Sequence, residues 1–422
     1  MTSRDRTTNR GVGTLMEDMP RIQALMLGLA SAGAISYLLN LALHGNSTLT
    51  WINLGVTICL VIGWAACALK LNRSDQSTHF VAADSALPVA EMATVGYSII
   101  IPTFNRANDV CRLVETIIAF IKSEIPGQTA EIIVVDDGST DTTVADLALA
   151  QRAHATSINV VSQKNSGVAS ARNHGALQAR GRVLIYIDSD CLPQSGWLSK
   201  LAQSASEGGV AYTRVEGERV PYYPLEVSPF EAKFPGASFA VHRDDYLGLG
   251  GMCELFGHHL EDSDFYLKCV EGGLEIISVQ DAVIWHPLRR RSLCEIWRNA
   301  LLHSYDALLL RRHGKSSYPF LRNAFAGVNV GPYYGSTLTT VVLLGEGILA
   351  SFFSASGTSI LQWLFLICVA GVVYVTGIMA CALYLRVPIL LWPRYFGTVF
   401  TYMTGSVVGR VRGSWKYRIL VL

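Results

Sequence analysis

The sequence predicts an α/β domain with a mostly parallel sheet, set between two pairs of apolar segments. Three observations predict it. Half of the 422 residues are hydrophobic and only 16% are charged, a balance too apolar for an ordinary soluble enzyme. Long apolar stretches occur near both ends, at 22–43, 51–69, 336–353 and 360–385. Between them lie short Ile- and Val-rich runs that alternate with helix-like stretches.

Residues 1–21 carry Arg4, Arg6, Arg10 and Arg21 ahead of the first apolar stretch. That stretch has no charge and exceeds the ~20 residues that cross a bilayer. The second stretch, 51–69, repeats the pattern, and Lys70 and Arg73 follow it. The link "HGNSTLT" has no Lys or Arg. The positive-inside rule makes 22–70 a transmembrane hairpin with both ends cytoplasmic, followed by a polar linker over 71–95. A cleaved signal peptide fits poorly, because the apolar run starts late and a second follows.

In the central domain, 96–290, "YSIIIP" (97–102), "AEIIVVDD" (130–137) and "GRVLIYIDSD" (181–190) read as buried strands. A helix is predicted from Ala107 to Ser123, and another in "DTTVADLALAQRAHA" after the second strand. In parallel α/β sheets ligands gather at the carboxyl ends of strands. Three polar clusters fall there: Pro102–Arg106, Asp136–Thr140 and Asp188–Asp190.

Residues 291–330 contain a predicted amphipathic helix, with Leu293, Ile296, Trp297, Leu301, Tyr305, Leu308 and Leu309 near one face. Arg289–Arg291, Arg311, Arg312 and Lys315 bracket it, a composition suited to anionic lipid, with a solvated surface helix as the alternative. A second hairpin is predicted over 331–386, again with an uncharged link and a following Arg386. Glu346 falls inside it, which marks either a functional carboxylate or a span that ends earlier. Residues 387–422 read as an interfacial or re-entrant segment with a basic C-terminus, or as a fifth span over 387–408. The predicted protein is thus multi-pass, with its central domain on the cytoplasmic side. The net charge of +1 gives no reason to expect nucleic acid, and nine scattered cysteines without a CxxC pair point to a reducing compartment. Oligomeric state is not legible.

The chemistry starts from "IYIDSDCLP". Asp188 and Asp190 end a buried strand, where two carboxylates repel and resist desolvation unless a cation or solvent offsets them. Such a pair suits Mg²⁺ or Mn²⁺. In "IPTFNR", Thr103, Asn105 and Arg106 can grip a nucleotide, or simply turn the chain and cap a helix. "DDGSTD" is by itself an acidic turn. "NSGVASARNHGALQARG" puts small residues at a helix start, with Arg172 on its first turns. "HHLEDSDFYLK" gathers Glu261, Asp262 and Asp264 where a helix begins.

Four of these motifs, "SIIIPTFNR", "VVDDGSTD", "NSGVASARNHG" with "YIDSD", and "GHHLEDSDFYLK", occur in the order found in family 2 glycosyltransferases, and the chain resembles that family over about 96–290. The resemblance implies a GT-A nucleotide-sugar-binding fold. It implies donor binding by Pro102, Thr103, Asn105, Arg106, Asp136 or Asp137, Arg172, Asn173 and Asp188. It assigns metal binding to Asp188 and Asp190, with His286 as a third ligand in some relatives, and proton abstraction to the Glu261–Asp262 pair, Asp262 first. "FPGASFAV" (234–241) loosely matches the acceptor side, and His258 and His259 have no assigned role. One departure is informative: processive synthases of the family carry Q-x-x-R-W after the Glu-Asp pair, and this chain does not. The expectation is therefore transfer of one sugar, with inversion, to a lipid-linked saccharide or polyprenyl phosphate in envelope or exopolysaccharide assembly. A processive polysaccharide synthase and an inactive membrane scaffold are the rivals.

Overall fold

The computed structural model describes residues 95–153, 158–206, 208–217, 234–287, 291–317, 379 and 392–418. The chain divides into two compact units, residues 1–78 with 329–396 and residues 79–328 with 397–422. The second holds nearly all described residues. The four predicted spans, Glu346 and most of the 71–95 linker lie outside the described residues. Among those described, no helix is long and apolar enough to cross a membrane.

The element order begins β1 (Val95–Thr103), α1 (Ala107–Glu124), β2 (Ala130–Asp136), α2 (Thr143–Ala153), β3 (Ile158–Ser162), α3 (Val168–Gln178) and β4 (Gly181–Ile187). These are right where the Ile/Val runs and helical periodicity put them, with one addition. Strand β3, "INVVS", is short and half exposed, so it lacks the apolar run that marks its neighbours. The third predicted strand also ends earlier: Asp188–Asp190 lie just past β4, in the loop. There follow β5 (Leu192–Pro193), α4 (Trp197–Ser206), β6 (Val210–Glu216), β7 (Ser238–His242), α5 (Arg243–Gly248), α6 (Glu261–Glu271) and β8 (Ile276–Trp285). Beyond these come α7 (Leu293–Leu301), α8 (Ser304–His313) and α9 (Trp392–Tyr417).

The eight strands form one sheet in the order β3-β2-β1-β4-β7-β6-β8-β5. The half built from β3, β2, β1 and β4 is parallel, as expected. Beyond β4 the sheet is mixed: β7 runs antiparallel to both β4 and β6, β8 lies parallel to β6, and β5 antiparallel to β8. Period-two alternation sorts the strand residues onto two cores. Ile99, Ile101, Ile132, Val134, Val183 and Ile185 face one core with Leu113, Val114 and Trp197. Ile100, Ile133, Val135, Leu184 and Tyr186 face the other with Ala169, Ala176 and Phe265. Burial of both faces explains why these strands read as continuous apolar runs.

The single amphipathic helix expected near 291–315 is instead two helices, α7 and α8, with the break at Leu302 and His303. Ser292 caps α7 through a reciprocal capping box with Glu295. Part of the predicted apolar face is covered by protein: Ile296, Leu308 and Leu309 are buried. Leu308 and Leu309 join Phe256 and Leu267, which ties α8 to α6. Residues 392–417 form one unbroken helix, and Pro393 sits in its first turn, where a missing N–H costs no hydrogen bond.

Candidate active site

The strand order places a topological switch between β1 and β4: from β1 the chain winds outward to β2 and β3, then returns to β4 on the other side. A crevice opens at the carboxyl ends of strands at such a point. Here it is a cleft of about 1040 Å³ that includes Pro102, Thr103, Arg106, Asp137, Arg172, Asp188, Asp190, Glu261 and His286 in its wall. The three polar clusters read from the sequence do share this rim.

The first two clusters are fastened to each other. Asn105 adopts a positive φ of 53° and accepts a 2.8 Å hydrogen bond from the Thr140 backbone N–H at Oδ1. Its own N–H donates to Ser139 Oγ at 2.8 Å. Asn105 is thus a staple between loops, on the cleft wall. Thr103 is buried, and its Oγ1 has no hydrogen-bond partner among the described residues. Of the two adjacent aspartates, Asp136 closes a local turn by accepting from the Ser139 N–H and stays off the cleft wall. Asp137 lines the cleft, while its oxygens accept from Gln163 Nε2, Ser166 N–H and Gly167 N–H at 2.8, 2.8 and 2.9 Å. It thereby fixes the loop that starts α3. Gly167 is required there: at φ +94°, a Cβ would lie 3.0 Å from the Gly257 carbonyl oxygen, on the loop leading to α6.

Arg172 is the electrostatic centre of the site. It is 2% exposed and donates to Asp188 Oδ1 at 2.8 Å, to the Gly236 carbonyl at 2.9 Å and to Glu261 Oε1 at 3.4 Å. Burial by itself depresses the guanidinium, but the charges of Asp188 and Glu261 outweigh it and hold it protonated. The sequence suggested an arginine reaching a diphosphate; here its donors serve two carboxylates. Asn173 turns away from the cleft. Its amide donates to the Met252 carbonyl and Glu254, and its oxygen accepts from Tyr246 Oη and the Met252 N–H. All its hydrogen-bonding capacity goes to packing α3 against α5 and the loop before α6.

Asp188 and Asp190 face opposite cations. Burial raises the Asp188 carboxyl, and Arg172 opposes the rise. Asp190 Oδ2 lies 2.6 Å from Arg106, and its Oδ1 lies 3.8 Å from His286 Nε2. His286 Nδ1 is 3.0 Å from the Pro287 carbonyl, which can only accept, so Nδ1 is the donor in that contact and Nε2 is the ring nitrogen that faces Asp190. Asp190, Cys191 and His286 bring one potential ligand atom each within 4.8 Å of one another. Cys191 is a poor third member, because burial pushes its thiol well above its ordinary range. The oxygen and imidazole donors that remain suit a hard divalent ion of the Mg²⁺ or Mn²⁺ type.

Glu261 opens α6 and lines the cleft. Burial first, then the charge of Asp262, pushes its carboxyl up to about 8, against the pull of Arg172. Asp262 lies beside it, outside the cleft wall. Its Oδ1 accepts from the Ser263 N–H at 2.7 Å and its Oδ2 from the Gly236 N–H at 3.3 Å, next to the 234–241 segment. Behind the pair, Asp264 is fully buried and held by Arg312 at 2.6 Å and His313 at 2.8 Å, which anchors α6 to α8.

One wall was missed in the sequence. Arg291, Glu295, Arg298, Asn299 and Leu302 line the cleft from α7 and its approach, joined by His258. Burial and the Arg291 charge lower the His258 imidazole, keeping it neutral. The available signal is the polar face of the amphipathic pattern, whose composition suits anionic lipid or, alternatively, solvent rather than a cleft.

Residues 98–235 match the pattern of the glycosyl transferase family 2. The chain is 30% identical over 113 residues to the glycosyltransferase AglE of Haloferax volcanii, covering 27% of this chain and 36% of that protein. It is 34% identical over 98 residues to the dolichyl-phosphate beta-glucosyltransferase of Drosophila melanogaster, covering 22% and 30%. The chain thus spans about a third of the length of these curated relatives. Among solved structures it is similar to the mannosyltransferase PcManGT from Pyrobaculum calidifontis in complex with GDP-Man and Mn²⁺, at 19% identity and a TM-score of 0.48, covering 91% of this chain and 97% of that one. The α/β sheet and the family match together make the fold GT-A-like. The 98–235 segment thus carries the glycosyl transferase family 2 pattern, and the DxD carboxylates and Glu261 gather at one sheet rim.

Proposed function

We propose that this protein transfers a single sugar, with inversion, from a nucleotide-sugar to an acceptor carried by a membrane lipid. One observation carries the reading: Asp188, Asp190 and His286 share a cleft with Glu261, and Arg172 joins the two groups by contacting both Asp188 and Glu261. Asp188, Asp190 and His286 would hold the divalent ion, which supplies positive charge against the donor's diphosphate. Thr103, with its orphaned hydroxyl, and Asp137 would contact the nucleoside. The acceptor hydroxyl oxygen forms a bond to the anomeric carbon while the bond to the nucleoside diphosphate breaks. The diphosphate leaves with the electron pair, and Asp262 takes the hydroxyl proton. Glu261, tied to Arg172, sets the field around that pair. Asp262 suits the role because it abuts Gly236, in the segment expected on the acceptor side.

The departure from Q-x-x-R-W favours single transfer over processive synthesis, and product sizing separates the two, since one added residue and a polymer differ in mass. The decisive test is binding of UDP and GDP to the purified full chain with and without Mn²⁺. Metal-dependent binding that falls at least about tenfold in Asp190→Asn supports the reading. Wild-type protein that binds neither nucleotide with Mn²⁺ present returns the inactive scaffold.

A further inference from the structure

The 397–417 part of α9 has one face locked onto the catalytic domain. Arg410 Nε donates to buried Asp306 at 2.8 Å, and Tyr402 bonds His303, which itself sits 3.0 Å from Asp306. Three glycines at four-residue spacing allow backbone contact along the same side. A Cβ at Gly405 would meet Ala300 at 2.7 Å, one at Gly409 the Leu301 carbonyl at 2.8 Å, and one at Gly413 the Ser304 carbonyl at 2.1 Å. The rotation of α9 about its axis is therefore fixed.

That rotation turns an apolar face outward. At about 100° per residue, Phe400, Thr404, Val408 and Trp415 fall within about 80° of arc, opposite the glycines. Phe400, Val408 and Trp415 are 54%, 46% and 88% exposed. No Asp or Glu occurs anywhere in α9, while Arg412 and Lys416 are exposed at the Trp415 end and Arg418 follows. The helix is nonetheless too polar to cross a bilayer.

We propose that this outward face, centred on Val408 and Trp415, lies on a bilayer rich in anionic lipid. Tryptophan at headgroup depth, flanked by exposed cations and free of carboxylates, is the complement of that surface. The consequence concerns the cleft. One side of α7 packs on α9 and the other lines the cleft, so the layers run lipid, α9, α7, cleft. With helices packed 8–10 Å apart, this sets the cleft wall about 20 Å from the headgroups. The proposal stands on the surface of α9 alone, and its test makes no use of sugar transfer.

The full chain is reconstituted in vesicles of phosphatidylglycerol and phosphatidylcholine, and tryptophan emission is recorded for wild type and Trp415→Phe. The difference between the two isolates Trp415 from the other tryptophans, and the substitution at so exposed a position leaves folding intact. The expected difference emission is blue-shifted and quenched several-fold more by brominated lipid than by aqueous iodide. Failure of brominated lipid to quench it overturns the proposal. Iodide quenching as strong as in detergent would then show a water-facing helix, and cross-linking of Trp415→Cys copies would show a contact between chains. Equal quenching in purely zwitterionic vesicles overturns the assignment to anionic lipid.

Discussion

Removing the Arg172 guanidinium tests the electrostatic core of the site most directly. In Arg172→Met the volume is largely kept, but Asp188 and Glu261 lose their shared cation and the Gly236 carbonyl loses a donor. Breaking a buried ion pair from one side costs about 3–5 kcal/mol. The Asp188 side chain is 29% exposed and keeps some hydration, so the lower end, about 3 kcal/mol, is expected near neutral pH. For a domain of this size that lowers the melting temperature by about 6–12 °C. The pH dependence has a definite sign. Without the guanidinium both carboxyls rise further above their unfolded values, so the folded variant retains protons that the unfolded chain has released. The penalty is absent below the unfolded carboxylate range and grows as pH climbs toward the raised values. Thermal unfolding of the purified full chain at about pH 5 and about pH 8 should therefore show a deficit that is larger at the higher pH. A variant that melts with wild type at both, or a deficit larger at the lower pH, refutes the reasoning.

Three further outcomes follow from the packing around α6, α8 and α9. Gly413→Ala, which drives a methyl into the Ser304 carbonyl, should destabilise by about 1–3 kcal/mol, whereas Gly397→Ala meets nothing within 4 Å and should be neutral or stabilising by up to about 1 kcal/mol; differential scanning of both variants decides. Burial opposes ionisation of Asp306, but His303 and Arg410 outweigh it and hold the carboxyl well below its usual range. Its stabilisation is present above about pH 4 and lost as pH falls through the depressed value, so Asp306→Asn should cost about 3–5 kcal/mol at neutral pH and flatten the acid limb of the unfolding profile. For His313, burial is outweighed by Asp264 and Glu271, which raise the imidazole. That contribution is complete below about pH 6.5 and vanishes as pH rises through the raised value, so the melting gap between wild type and His313→Gln should close with rising pH.

The site was legible to different depths. Asp188 and Asp190 were found because a buried Ile/Val strand that ends in carboxylates is a local anomaly. Asp137 and Asp136 could not be told apart from sequence: they are neighbours at the carboxyl end of β2, and only the α3 loop, 26 to 30 residues on, selects Asp137. Asn173 sits one residue from Arg172, and the 100° between them on α3 turns one to the carboxylates and the other to Met252. The α7 wall was not legible because an amphipathic pattern, here suited to anionic lipid or to a solvated surface, shows which face is polar without showing what that face looks at.

By itself the sequence determined the parallel half of the sheet, the rim on which the polar loops gather, and the family 2 motif order of the 98–235 segment. These rest on short-range regularities: two-residue and 3.6-residue periods, turn chemistry and motif order. Only the tertiary structure decided that Arg172 bridges Asp188 and Glu261, 16 and 89 residues away, and that Arg410 reaches Asp306 across 104. It likewise decided which face of α9 stays outside. Pairing of buried charges depends on which distant groups are desolvated together, and no local pattern in the chain encodes that.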